Sequence, residues 1–299
     1  MQSKTAYNLD KYTRQRIKQI DQALNKFLPG PRSKPITIHR AMRHSLFAGG
    51  KRIRPIITLA SAEACGGLVS RAIPLACAVE CIHTYSLIHD DLPSLDNDDF
   101  RRGHPTNHKV FGEGIAILAG DALLTQAFDI AARTKPTKRY SIAKTTLELT
   151  HTSGSQQLIA GQVADLEGEG KKLTLAQLRY IHERKTSALL TCAARLGGMS
   201  ANCTTTQLKA LTDFGRHIGL AFQVIDDILD VTQTSKQLGK TAGKDQAVNK
   251  ATYPAAVGLN KSKKIAKNLT DKAYMALKPF KGKAVALEAI AGYLLDREY

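Results

Sequence analysis

The chain has 299 residues, 43% of them hydrophobic, with 43 basic and 26 acidic side chains and a net charge of +17. That is enough apolar material for one large domain or two small ones, and no uninterrupted apolar run reaches the roughly 18 residues that would read as a membrane span. Five cysteines, an odd number without Cys-x-x-Cys spacing, argue against a disulfide framework or a zinc ribbon and suit reduced thiols in the cytoplasm.

So large a positive charge often marks a nucleic-acid binder. Here the basic residues are spread along the chain, aromatic residues make up only 6%, and no RNP-like or zinc-finger pattern is present. A small phosphorylated substrate fits better, and nucleic acid is not expected as a partner. The first twelve residues lack the apolar stretch of a secretory signal.

Helical periodicity dominates, and no alternating strand series stands out. Residues 8–27 are amphipathic and stop at Pro29-Gly30-Pro31. Residues 36–48 follow, closed by Gly49-Gly50. Residues 54–65 and 71–92 are apolar enough to be buried. Helical patterns continue over 114–133, 141–151 and 155–166. Residues 174–187 open on a threonine cap, and 188–196 are expected to end at Gly197-Gly198. A long helix over 205–231 is buried in its second half, and 254–276 and 282–297 finish the chain. No composition shift divides it, so the expectation is an all-α single domain over residues 1–299, built of stacked long helices.

Residues 80–103 read ECIHTYSLIHDDLPSLDNDDFRRG. An apolar helical stretch runs into Asp90, Asp91, Asp96, Asp98 and Asp99, then Arg101 and Arg102. Clustered carboxylates raise each other's pKa and repel. Magnesium, which takes oxygen ligands and shares them with substrate phosphates, removes that cost. Pro93 lacks an amide donor and clashes with the carbonyl of His89, so the helix should end near Leu92 and let Asp96 fold back beside Asp90. Residues 222–231, FQVIDDILDV, hold a second cluster of Asp226, Asp227 and Asp230. Asp226 and Asp230 stand one helical turn apart on one face. Between residues 232 and 253 lies a long stretch with Gly239, Gly243 and four lysines, which reads either as a lid over an anion or as a solvated connector.

DDLPSLD (90–96) followed by RRG, and FQVIDD with Asp230, resemble the two aspartate-rich motifs of the trans-isoprenyl diphosphate synthases. GGKRIRP (49–55) resembles that family's isopentenyl diphosphate motif, and GQVAD (161–165), KTSAL (185–189) and LGKTAGKD (238–245) match in order and spacing. Within the family the motif set looks most like the bacterial farnesyl diphosphate synthase type. The resemblance implies helices around a central cavity, a homodimer, and condensation of isopentenyl diphosphate with dimethylallyl or geranyl diphosphate to a C15 product. It implies three magnesium ions held by Asp90, Asp91, Asp96, Asp226, Asp227 and Asp230. Arg101, Arg102, Lys185 and Lys240 would stabilise the departing diphosphate, and Lys51, Arg54, His83 and Arg102 would seat isopentenyl diphosphate. Thr186 and Gln223 would add neutral donors. Tyr85, with Ser86 beside it, would floor the hydrocarbon pocket and stop growth at fifteen carbons; the alternative is a geranylgeranyl or longer-chain synthase.

Each feature also has a plainer reading. An acidic run is commonly a solvated helix end, His83 and Tyr85 could be core groups, and Lys185 and Thr186 could sit at a surface helix end. A terpene cyclase would share the metal-bound diphosphate but lacks use for GGKRIRP.

Overall fold

Glycine and proline mark most of the boundaries that the chain adopts. The computed structural model describes residues 7–232 and 252–295, and the fold is all-α. Helix α1 spans Leu9–Phe27, α2 Ile36–Leu46, α3 Ile53–Ala64 and α4 Val69–Asp90. A small antiparallel hairpin of β1 (Phe100–Arg101) and β2 (His104–Pro105) follows. Next come α5 (Asn107–Phe111), α6 (Glu113–Ala132), α7 (Ile142–Ser153), α8 (Leu158–Gly168) and α9 (Leu175–His182). A π-helical turn, Glu183–Ser187, leads into α10 (Ala188–Ser200). Helix α11 spans Thr205–Thr232, α12 Tyr253–Val257, α13 Leu259–Ala276 and α14 Val285–Leu295.

The contacts group into two compact units. One is the chain up to Thr150 with Leu196–Cys203, and the other is His151–Arg195 with the chain from Thr204 onward. In the first unit α4 packs against α3 and α6. This double coverage explains its apolar circumference: Leu75, Val79, Ile82 and Ile88 are at most 1% exposed. Burying each such side chain contributes about 1.5–3 kcal/mol, so tertiary burial rather than intrinsic propensity holds the helix. Helix α6 is long and apolar enough to cross a membrane by length and composition. Its inner face, with Ala116, Ala119, Gly120 and Leu123, is buried in this unit, and Ile117 and Leu118 are exposed.

In the second unit α11 packs along α13 and against the π-helical turn. A Cβ on Gly215 would lie 2.5 Å from the Thr191 Cα, and one on Gly219 2.6 Å from the Ser187 Cα. These two glycines, one turn apart, let the backbones approach closely.

Four local features differ from the sequence-based expectation, the first being that the helix expected over 254–276 is broken at Gly258, φ 81°, into α12 and α13. Helix α10 does not stop at Gly197-Gly198 but runs to Ser200, because Gly197 is a packing notch: a Cβ there would lie 2.1 Å from the Thr58 carbonyl oxygen on α3. The expected helix over 174–187 ends as an α-helix at His182 and continues as the π-helical turn. The segment after the first aspartate cluster forms the β1–β2 hairpin. All five cysteines are free thiols, and Cys77 and Cys81 are buried on α4.

Candidate active site

Helix α4 ends at Asp90, as Pro93 requires. The Asp96 amide donates to the Asp90 carbonyl at 2.8 Å, and the Asn97 amide to the Leu92 carbonyl at 3.1 Å. Asn97 sits at φ 48°, in the left-handed region that completes the reversal. The six-residue separation between Asp90 and Asp96 thus closes into one turn. Asp90 is half-buried and Asp96 exposed. Asp91 is 3% exposed and faces inward, where the Arg101 Nε donates to both of its oxygens at 2.7 and 2.9 Å. Burial pushes the Asp91 carboxyl above its ordinary range, and the Arg101 guanidinium pulls against that.

The hairpin explains why two adjacent arginines do different work. Its two loop residues, Arg102 and Gly103, have φ of 55° and 78°, the signature of a type I′ turn. Arg101 points toward Asp91. Arg102 reaches the loop before α3 and donates to the Gly49 carbonyl. A Cβ on Gly50 would lie 2.5 Å from the Arg102 Nη1, and the φ of 115° at Gly50 is one that residues with a side chain rarely adopt.

The same loop carries the GGKRIRP residues. Lys51 is exposed, while Arg54 is drawn in, and the Arg54 Nη1 donates to the His83 Nε2 at 3.3 Å. Burial, together with Arg102, lowers Arg54 to about 10. Burial and the surrounding guanidinium groups push His83 well below its ordinary value, so it is neutral and accepts from Arg54. The buried Arg54 Nε meets no hydrogen-bond acceptor among the described residues. Crowded cations with a donor to spare suit an anion, and guanidinium suits phosphate oxygens through its planar fork of donors. Arg52 does not join them; it turns into the protein beside Glu80.

Tyr85 lies on α4 five residues before Asp90 and is 6% exposed. Its ring meets His89 edge to face at 5.8 Å. Ser86 donates its hydroxyl to the His83 carbonyl. His89 fits the notch at Gly120 and bonds the Ile117 carbonyl at 3.0 Å, a satisfied packing group.

The second unit holds the other cluster on α11. Asp226 is half-buried, and Asp227 and Asp230 are 8% and 4% exposed. The Asp227 Oδ2 accepts the backbone N–H of Tyr253 at 2.8 Å and lies 4.0 Å from the His182 Nε2. Lys185 and Thr186 sit in the π-helical turn, a local irregularity that commonly marks functional sites. They are not at a helix end. The Lys185 Nζ pairs with Asp165 at 2.7 Å, and the Thr186 hydroxyl donates to the Gln223 Oε1 at 2.8 Å. Gly161 on α8 permits this, since a Cβ there would lie 2.2 Å from the Lys185 amide nitrogen. Lys240 lies outside the described residues, as does most of the stretch read as a lid.

Carboxylate oxygens are the donors both clusters offer, and they suit magnesium. Among the described residues no three acidic, histidine or cysteine side chains are already gathered around one point. Sequence reasoning missed Asp165 as the partner of Lys185, and Glu80 as the partner of Arg52. Neither pairing leaves a signal, because each joins residues 20 or more apart that only the fold brings together.

The polyprenyl synthetase profile matches residues 36–290. A geranylgeranyl diphosphate synthase from Cyanophora paradoxa is 46% identical over 98% of this chain and 98% of its own length. A farnesyl diphosphate synthase from Geobacillus stearothermophilus is 45% identical over 84% of this chain and 85% of its own. The crystal structure of a geranyltransferase from Helicobacter pylori, complexed with magnesium and isoprenyl diphosphate, superimposes with a TM-score of 0.83 at 32% identity, covering 99% of this chain and 98% of that one. With its two aspartate clusters, its basic loop and a match over most of its length, the chain belongs to the polyprenyl synthetase family.

Proposed function

We propose that this prenyltransferase condenses isopentenyl diphosphate with dimethylallyl or geranyl diphosphate to give farnesyl diphosphate and free diphosphate. The observation that carries the reading is the basic notch of Arg54, His83 and Arg102 around Gly49-Gly50, in the same unit as the Asp90–Asp96 turn. A notch holding two guanidinium groups, in the same unit as a carboxylate turn, suits two diphosphate substrates bound differently.

Lys51, Arg54, His83 and Arg102 seat the isopentenyl diphosphate. Arg101, Lys185 and Lys240 stabilise the allylic diphosphate as its carbon–oxygen bond breaks and the electron pair leaves with oxygen. Thr186 and Gln223 place hydroxyl and amide dipoles near the allylic carbocation. The isopentenyl double bond attacks that carbon, and the proton lost from the new chain passes to the departing diphosphate. Magnesium, three ions in this reading, would supply charge neutralisation and orientation of the diphosphate when bound. Asp90, Asp96, Asp226 and Asp230 would hold the ions, with Asp91 and Asp227 acting from beside them.

Tyr85 supports a C15 product: a large buried ring one turn below Asp90 would block a longer chain. A C20 product is the second reading, favoured by 46% identity to a geranylgeranyl diphosphate synthase. The reading also includes a cytoplasmic homodimer, for which the exposed Ile117 and Leu118 on α6 offer an apolar face. The test is incubation with labelled isopentenyl diphosphate, geranyl diphosphate and magnesium, with products sized by chromatography. A single C15 product is expected. A dominant C20 product would replace the first reading by the second, and no prenyl transfer would end both.

A further inference from the structure

We propose that Arg52 and Glu80 are positioning residues whose buried ion pair fixes the loop that presents Lys51 and Arg54 to isopentenyl diphosphate. The inference rests on the reading of that loop given above. Nothing in the pattern GGKRIRP separates its first arginine from its second. The structure separates them completely.

Arg52 has φ 48° and ψ 36° at the N-terminus of α3, a left-handed conformation uncommon for a residue other than glycine. With Gly49 at φ 82° and Gly50 at φ 115°, it coils the loop tightly. Its side chain goes inward and is 4% exposed. Each guanidinium nitrogen finds an acceptor on a different helix or helix end. The Nε donates to Asp21 on α1 at 3.1 Å, the Nη1 to Glu80 on α4 at 2.8 Å, and the Nη2 to the Leu46 carbonyl closing α2 at 2.6 Å. Glu80 is 1% exposed. Burial would favour loss of the Arg52 proton, but Glu80 and Asp21 more than offset it and hold the group as a cation.

Arg54 and His83 lie two and three residues beyond Arg52 and Glu80. Residues 80 and 83 share one face of α4. The 52–80 and 54–83 contacts are therefore successive rungs between the same two elements. The first rung sets the rotation and height of the loop, and the second is the substrate-facing one. An apolar pair could fill the same space, and such replacements of buried ion pairs are often neutral for stability. It would lack the directional bonds that fix the loop to about an ångström, the scale at which binding geometry matters.

The test compares Arg52→Met, Glu80→Gln and the double variant Arg52→Met/Glu80→Met with Lys51→Ala as reference. The measurements are Tm and steady-state kinetics in both diphosphates. The double variant, with no unpaired buried charge, is expected to melt near the wild type. Its KM for isopentenyl diphosphate should rise about tenfold or more, while kcat and the KM for geranyl diphosphate stay within about threefold. Glu80→Gln, which keeps an acceptor oxygen, should recover most of that loss. A double variant with unchanged KM for isopentenyl diphosphate overturns the inference. So does a parallel rise of both KM values together with falls in kcat and Tm, which marks a general structural role. If Lys51→Ala raises the KM and the double variant does not, the substrate reading of the loop stands and only the positioning role falls. If neither does, the substrate reading falls first.

Discussion

Gly161→Ala is the sharpest probe of the second unit, because its two consequences have opposite signs and the structure decides between them. On α8 an alanine gains about 1 kcal/mol of helix propensity over glycine. The added methyl, however, would lie 2.2 Å from the Lys185 nitrogen and 2.7 Å from its Cα. Both are backbone atoms, so no side chain can swing aside. Ordinary contact requires α8 and the π-helical turn to part by roughly 1 Å, and such overpacking costs about 1–3 kcal/mol. At the upper end the net is a loss of about 2 kcal/mol, read as a fall of a few degrees in Tm. The same movement pulls Lys185 from Asp165 and Thr186 from Gln223. A displacement of about 1 Å in a positioning group can cost on the order of a hundredfold in rate. We expect kcat to fall by about ten- to a hundredfold, with the KM for isopentenyl diphosphate nearly unchanged. Gly114→Ala on α6, with open space around the new methyl, serves as the control and should be neutral or slightly stabilising. Steady-state kinetics and thermal melts of both variants decide the matter. A Gly161→Ala enzyme with wild-type kcat and Tm would refute the claim that this glycine sets the height of Lys185.

Tyr85→Ala should lengthen the product beyond fifteen carbons, visible by chromatography after dephosphorylation, at a stability cost of about 3 kcal/mol or more for the vacated volume; unchanged length would remove Tyr85 as the floor. Asp90→Asn and Asp226→Asn should each lower kcat by about a hundredfold or more and raise the magnesium needed for half-maximal rate, and an unchanged magnesium titration would place the ions elsewhere. His83 is held neutral, its pKa below the ordinary value because of burial and the nearby Arg54 and Arg102. With the folded value depressed, the unfolded chain takes up the proton first, so stability is intact above about pH 6.5 and is lost as pH falls below it. His83→Gln should flatten the decline of Tm on the acid side, and an identical slope in the two proteins would contradict the assignment.

How far the sequence reaches is plain from particular residues. Pro93 dictates the end of α4 by local chemistry, so the Asp90–Asp96 reversal is legible in the order of the residues themselves. The i, i+4 spacing of Asp226 and Asp230 is legible for the same reason. The Gly197-Gly198 pair is not, because a glycine pair looks alike whether it ends a helix or admits a neighbouring carbonyl. The π-helical turn at Lys185 is not legible either, since the close approaches that accompany it, Gly161 to Lys185 and Gly219 to Ser187, join residues far apart in the chain. The two adjacent arginines of the hairpin show an intermediate case. Their types indicate anion chemistry, but only the type I′ turn sends one to Asp91 and the other to Gly49.

The doubled aspartates carry a related division of labour. Consecutive helical residues point about 100° apart, so neighbours cannot both face one ion from a regular helix. In each pair the first carboxylate is half-buried and the second is turned inward. Asp91 meets Arg101, and Asp227 meets the Tyr253 amide that opens α12. The inward member fastens the next segment of chain to the helix that bears the outward one. An asparagine keeps an acceptor oxygen but loses the charge. Asp227→Asn should therefore preserve the bond to Tyr253 and lose less than about tenfold in kcat, against about a hundredfold for Asp226→Asn. Asp227→Ala removes the acceptor, leaves a buried N–H unsatisfied at about 1–3 kcal/mol, and should lower Tm as well. Equal losses for Asp226→Asn and Asp227→Asn, with equal shifts in the magnesium titration, would show that both carboxylates serve the ion.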